Sequence, residues 1–138
     1  MKRTVRRSVF ESNSSSMHSI SIIGGDRMNK FLPVSDDGKV HIQYGEFGWG
    51  YNVLKTPSQK TSYLITDQRE SHDLIKQAVK DYAGLELVIE EKPSNFYPEG
   101  YVDHQSSGTS SKYCRDVETI KDFIFNDKYT IIIDNDNH

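Results

Sequence analysis

A helix-forming pattern followed at once by a strand-forming pattern constrains the fold of this chain most strongly. Over residues 71–83 the apolar side chains recur at helical spacing, and Ser71 is the predicted N-cap. Gly84 ends this predicted helix, and apolar and acidic residues then alternate over 85–90, as in a strand with one buried face. A chain that packs both periods around one core belongs to the mixed α+β class.

Other segments supply further elements of both kinds. A helix is predicted from Thr56–Pro57 to about Thr66, and another follows the N-cap Asp116. Alternating or β-branched runs predict further strands at 17–23, 40–44, 101–106 and 129–133, the last of them central and buried on both faces.

The length of 138 residues fits one domain. We therefore expect a single α+β domain over 1–138, with about five strands in a mostly antiparallel or mixed sheet packed against two to three helices. Residues 1–10 are expected to form a basic arm or edge strand, and the Ser/Gly-rich stretch within 106–115 is expected to be a mobile loop.

Charge and cysteine content bound the class of protein. The net charge is only −3, yet the first ten residues are basic and the last twenty or so are mostly acidic. The one cysteine, Cys114, excludes an internal disulfide and fits a reducing compartment. The chain has no apolar run near the ~20 residues that span a bilayer and no signal-peptide pattern. We expect a soluble cytoplasmic protein that does not enter membranes, with its oligomeric state undetermined.

A serine-rich segment, residues 12–19, places a lone histidine among short polar side chains. Residues two apart in an extended chain share a face, so Ser16 and His18 form a possible nucleophile–base pair, with Ser14 beyond them. The alternative is a loop that caps the following strand and satisfies backbone groups.

Two further polar clusters lie far away in sequence. Asp103 and His104 alternate in the predicted strand at 101–106, so His104 needs an acid from elsewhere, such as Asp134 or Asp136. The alternatives are a strand-end histidine bonded to a carbonyl and a solvated acidic C-terminal segment. Asp134 and Asp136 point the same way if the strand continues, which suits a divalent cation, although a solvated C-terminal segment is the preferred interpretation. The histidines lack zinc-ligand spacing and no phosphate-binding glycine motif is present, so no metal site is assigned and no cofactor is predicted.

Glycines and aromatic residues interleave over 45–51. Glycine lets backbone approach a partner closely, and Trp49 and Tyr51 offer flat surface for a contact. The alternative is a loop that Phe47 and Trp49 pin onto the core.

The segment from Arg6 to Ser19, with its Phe, Asn-Ser-Ser-Ser and His-Ser steps, resembles the opening of a set of uncharacterised proteins from bacteriophages and Gram-positive bacteria. Residues 101–106 and 134–137 also resemble segments of that set. The resemblance implies that the three polar clusters meet in the fold and that the chain comes from a mobile element. Proteins of that origin often block host defence, CRISPR nucleases included.

Three hypotheses follow. In the first, the chain is an anti-CRISPR-like accessory protein that binds and inhibits or modulates a host protein or nucleoprotein, such as a CRISPR effector. Its contacts would come from Arg3, Arg6, Arg7, Asn13, Ser14, Trp49 and Tyr51, the arginines reaching nucleic-acid phosphate or an acidic surface. In the second, it is a nuclease or phosphodiesterase that uses Ser16, His18, Asp103 and His104. In the third, it is a structural or regulatory domain with a capped serine-rich loop.

Overall fold

The computed structural model describes residues 16–23, 26–47, 51–92, 98–102 and 109–135. Within them three helices and seven strands form an α+β fold, which confirms the predicted class. The strands are divided among three small sheets, where a single sheet of about five was expected.

The largest sheet is antiparallel and has three strands. β7 (Tyr129–Asn135) lies between β1 (Ser16–Ile22) and β4 (Asn52–Leu54). The predicted central position of β7 is therefore correct. Its side chains alternate: Ile131 and Ile133 are fully buried whereas Ile132 is half-buried, so only one face of this strand is completely covered.

Two parallel pairs of strands make up the rest of the sheet structure. β2 (Val40–Gln43) pairs with β5 (Leu87–Glu90), and β3 (Glu46–Phe47) pairs with β6 (Tyr101–Val102). Between β2 and β3 the chain bends at Gly45, whose N–H donates to the Thr66 hydroxyl instead of to a neighbouring strand.

Three helices provide most of the remaining core. Two of them start at predicted caps that make side-chain hydrogen bonds, whereas Ser71, the predicted N-cap of the helix over 71–83, makes no side-chain capping bond. α1 (Pro57–Asp67) begins with a capping box between Thr56 and Gln59. α2 (His72–Ala83) ends at Gly84, which has a positive φ of 72°. α3 (Val117–Phe125) is capped by Asp116, whose carboxylate accepts from the Thr119 N–H.

α1 lies at the centre of the molecule and is buried on most of its sides. Its residues Lys60, Tyr63, Leu64 and Ile65 are all fully buried. The core around it combines aromatic and aliphatic side chains from all three helices and from β2, β3, β4, β5 and β7. A helix covered on most sides positions polar side chains in the interior, and it does so for both Lys60 and Tyr63.

Two local features lie close to α1. Within the predicted mobile loop at 106–115, residues 109–113 form a turn and a short 3-10 helix, and Ser110 and Cys114 are buried. His72, in the first turn of α2, is half-buried, because its Nε2 lies 2.8 Å from the Ile65 carbonyl oxygen at the end of α1.

Candidate functional site

His18, the central residue of the predicted serine-rich site, points into the protein. In β1 it lies opposite Ile133 of β7, and paired residues of neighbouring strands share a face. Its Nδ1 lies 2.8 Å from the hydroxyl oxygen of Tyr63, a hydrogen-bond distance. His18 is thus held by a residue of α1 that is 45 positions away in sequence.

Tyr63 connects His18 to a second group of polar side chains. One helical turn after Tyr63, the Asp67 carboxylate accepts from the N–H and hydroxyl of Ser110 at 3.2 and 2.6 Å. The Thr109 side chain also hydrogen-bonds to Tyr63. We call these five residues, His18, Tyr63, Asp67, Thr109 and Ser110, the Tyr63 network.

The electrostatics of this network keep Tyr63 protonated. Burial disfavours the tyrosinate most strongly and the Asp67 carboxylate disfavours it further, so the pKa of Tyr63 lies well above its usual range. The phenol therefore remains a neutral hydrogen-bonding group at any physiological pH. The hydrogen bond between this neutral hydroxyl and Nδ1 orients the imidazole of His18.

Cys114 lies near the same network but lacks the properties of a nucleophile. Burial raises the pKa of its thiol to about 11, and a hydrogen bond with Ser71 opposes this only in part. The thiolate that attacks electrophiles is thus disfavoured.

Of the proposed catalytic residues, only His18 has a described side chain. The side chain of Ser16 lies outside the described residues, as do Asp103 and His104 altogether. Asp134 was expected to serve as a partner for these histidines. Asp134 of β7 pairs with Met17 of β1, the residue before His18. Because successive residues of a strand face opposite sides of the sheet, Asp134 lies on the face away from His18.

Among the proposed contact residues, Tyr51 is described, and its side chain is 60% exposed just before β4. The other proposed contact residues, Arg3, Arg6, Arg7, Asn13, Ser14 and Trp49, and the acidic Asp136 lie outside the described residues.

The sequence did not predict a surface formed by the segment between β1 and β2. Residues 26–35, here called the strap, have irregular backbone, and residues 26–29 lie against the turn between α3 and β7. Backbone hydrogen bonds fasten it there: Asn29 N–H donates to the Phe125 carbonyl at 2.6 Å, and Asp127 N–H donates to the Arg27 carbonyl at 2.7 Å. The buried amide of Asn126 adds hydrogen bonds to Asp26 and to the Arg27 N–H.

Apolar side chains project from this fastened backbone into solvent. Of the seven large hydrophobic residues that are exposed in the described structure, five lie at the end of β1 or on the strap: Ile22, Ile23, Met28, Phe31 and Val34. Phe31 is 70% exposed and Ile23 is 67% exposed. Their irregular spacing in a loop gave no signal by periodicity, because neither a helical nor a strand pattern selects a face there.

The described residues contain neither a metal centre nor a membrane-spanning helix. No group of three or more His, Cys, Asp or Glu side chains in the described ranges is arranged to hold a metal ion. None of the described helices has the length and apolar content needed to cross a bilayer. Comparison with protein-family models, with curated proteins and with solved structures finds no match to this chain.

Proposed function

We propose that this chain works by binding a protein partner through the apolar side chains of the strap and the end of β1, and that it modulates or inhibits that partner. The supporting observation is the concentration of exposed apolar residues in this one region. Single exposed hydrophobic residues are ordinary on protein surfaces, whereas a concentration of them marks an interaction surface. Phenylalanine and methionine are also enriched at the centres of protein interfaces.

The fastening of the strap supports a binding role. Backbone bonds to Phe125 and to Asp127 fix the first part of the strap, at Arg27 and Asn29, before any partner arrives. Association with a preformed segment costs less conformational entropy than ordering a free loop, so more of the apolar contact appears as affinity. Arg27 and Lys30 provide charged neighbours to the apolar side chains, as in the polar rim of many interfaces.

Photo-crosslinking in cells tests this proposal and captures whichever protein binds the strap. A photoreactive amino acid is placed at Phe31 in one variant and at Leu74, which is 37% exposed on α2, in a control variant. We expect a protein adduct from position 31 that is absent from position 74. With that purified partner, Phe31→Ser should weaken binding by about thirtyfold, as for an interface hot spot. Identical adducts from both positions, or equal affinities, would contradict the proposal.

The resemblance to phage proteins suggests which partner to examine first, namely a host CRISPR effector or another defence nucleoprotein. The N-terminal arginines Arg3, Arg6 and Arg7 are proposed to contact phosphate there. Binding of the wild-type chain should weaken steeply with salt, and replacing the three arginines by glutamine should remove most of that dependence. Salt-independent binding by the wild type would exclude the phosphate contact while leaving the apolar surface untouched.

A hydrolase is the second candidate, and the hydrogen bond between His18 and Tyr63 favours it. A general base is often held in one orientation by such a partner. The test uses phosphodiester substrates with purified wild type, His18→Asn and His72→Asn, the last a matched control because His72 is also half-buried and bonded. Activity that disappears only with His18→Asn supports hydrolysis. Absence of activity in the wild type rejects it.

A further inference from the structure

A histidine held between two carboxylates lies at the far end of the strap. His41 is in β2, Asp37 is in the turn that precedes β2, and Glu90 is the last residue of β5. His41 Nε2 lies 2.8 Å from Asp37 Oδ2, and His41 Nδ1 lies 2.8 Å from Glu90 Oε2. Both nitrogens of one ring are therefore engaged by acidic oxygens from different parts of the chain.

The number of ring protons decides whether both contacts are favourable. A neutral imidazole carries one N–H, so it donates to one carboxylate and turns a lone pair toward the other. The imidazolium carries two N–H groups and donates to both. The observed geometry therefore suits the charged ring, and loss of one proton makes one of the two contacts repulsive.

The turn that carries Asp37 leads directly into β2. Backbone hydrogen bonds join β2 to β5, the strand that carries Glu90. Asp37 lies in a tight turn that the Ser35 N–H closes on the Lys39 carbonyl at 2.8 Å, and its Oδ1 accepts from the Lys39 N–H. This turn continues directly from the strap. Glu90 lies on the strand beyond it, so the ring of His41 ties the end of the strap to β5.

Within the described part of the chain, few other charges act on this ring. The hydrogen bonds of Asp37 and Glu90 are the largest influences, and they raise the pKa of His41 above its ordinary 6.5 against a small opposing effect of desolvation. On the same side Lys39 is paired with Glu86 at 3.6 Å. Around the adjoining open groove, the other residues that β2, the strap and α1 contribute are Ile42, Gln43, Tyr44, Pro33, Ser58, Gln59 and Ser62, which carry no formal charge at neutral pH.

We propose that His41, Asp37 and Glu90 form a pH-sensitive latch that holds the strap's terminal turn against β5 while the imidazole is protonated and releases one carboxylate when the proton is lost. The latch requires no partner and is independent of the function proposed above. Because it lies at the C-terminal end of the strap, it links proton concentration to the order of the segment that precedes β2.

The sign of the pH dependence follows from the two opposing titrations. A raised pKa for His41 means that its contribution to stability is fully present below 6.5 and is lost as the pH rises through the higher folded-state value. The hydrogen bond from His41 holds the pKa of Asp37 below 3.8, so that carboxylate loses its charge only in stronger acid. The latch is closed between these limits.

An NMR titration of the His41 ring in the wild-type chain tests the latch directly. We expect His41 to titrate above 6.5, and both Asp37→Asn and Glu90→Gln to lower the midpoint, with the double variant returning it to about 6.5. Glu86→Gln is the matched control: it removes a neighbouring carboxylate that does not contact the ring, so the midpoint should stay near the wild-type value.

Amide hydrogen exchange reports the release itself. After correction for the intrinsic effect of pH, exchange at Gly38 and Lys39 should increase as His41 loses its proton, and the His41→Gln variant should show no such step. Wild-type titration at or below 6.5, an equal effect of Glu86→Gln, or exchange that ignores the titration would each overturn the latch. The wild-type measurements alone decide this if a variant does not fold.

Discussion

A lysine buried in the protein interior yields the most quantitative prediction. Lys60 of α1 is fully buried, and its ammonium donates to the carbonyls of Asn126 and Tyr129 at 2.9 and 3.2 Å. These carbonyls flank the turn that joins α3 to β7. Burial lowers the pKa of Lys60 to about 8, although the charges of Asp127 and Asp122 oppose the change.

The lowered pKa has a definite energetic sign. Below pH 8 the Lys60 amine is charged in both states, and burial makes this charge less favourable in the folded protein than in the unfolded chain. For a pKa lowered from 10.5 to about 8, the cost is about 3 kcal/mol of stability. Between pH 8 and 10.5 the folded protein has released this proton and the unfolded chain has not, so stability rises with pH. Between pH 7 and 9.5 the gain amounts to about 2 kcal/mol.

Lys60→Met tests this reasoning because methionine keeps the length of the side chain and removes the amine. The variant loses the buried charge, but the Tyr129 carbonyl loses the Lys60 donor at a cost of about 1–3 kcal/mol. The Asn126 carbonyl still accepts from the Tyr129 N–H at 3.3 Å. The two effects oppose each other at pH 7. The difference in free energy of unfolding between the wild type and the variant should therefore shift by about 2 kcal/mol in favour of the wild type between pH 7 and 9.5.

Urea unfolding at several pH values between 7 and 9.5 measures this difference. Tyrosines begin to ionise in the unfolded chain near the top of this range, but they do so in the wild type and in the variant alike, so their effect cancels in the comparison. Lys76→Met, at an exposed position of α2, is the control, and its stability should follow the wild type in parallel. A free energy of unfolding that stays parallel for the wild type and Lys60→Met across this range would refute a lowered pKa for Lys60.

Two further predictions concern backbone and network contacts. Gly100→Ala should lower the free energy of unfolding by about 2–3 kcal/mol in urea titrations, because Gly100 has a φ of 75° and an added Cβ would overlap the Gly45 carbonyl. Gly38→Ala, with a φ of 81° but open space around it, should cost only about 1 kcal/mol, and equal losses would argue against the steric contact. Tyr63→Phe should cost about 1 kcal/mol in the same assay and shift the ring ¹⁵N resonances of His18, whereas unchanged His18 resonances would show that the hydrogen bond is unimportant.

The helices and most strands were predictable because local signals specify them. Thr56 and Asp116 cap their helices through side-chain hydrogen bonds, and Gly84 ends α2 in the left-handed conformation that glycine adopts readily. The alternation over 85–90 likewise identified the strand that became β5. Each of these signals acts over three or four neighbouring residues, so one sequence is enough to detect it.

Features that depend on distant contacts were not predictable in the same way. The pattern of α1 predicted a helix, but its nearly complete burial follows from packing against β-strands and two other helices. That burial places Lys60 in the interior and Tyr63 beside His18. The same packing brings the Ile65 carbonyl of α1 to His72, which lies half-buried in the first turn of α2.

The candidate site was predictable only in part for the same reason. Strand alternation predicted that Ser16 and His18 share a face, but it gave no indication of Tyr63, the partner of His18, which is remote in sequence. The same alternation places Asp134 on the opposite face, because the β1–β7 register pairs it with Met17. Register depends on both strands together, and no local pattern specifies it. The exposed apolar side chains of the strap depend equally on how that segment crosses the turn between α3 and β7.

The position of β7 between β1 and β4 has a consequence for how quickly the native state is reached. β1 covers residues 16–22, and its partner begins at residue 129, so the polypeptide must close a very long loop before this sheet exists. During translation β1 lacks its hydrogen-bonding partner β7 until almost all of the present sequence has left the ribosome. Such non-local pairing slows folding and leaves an unpaired edge available to chaperones in the interval.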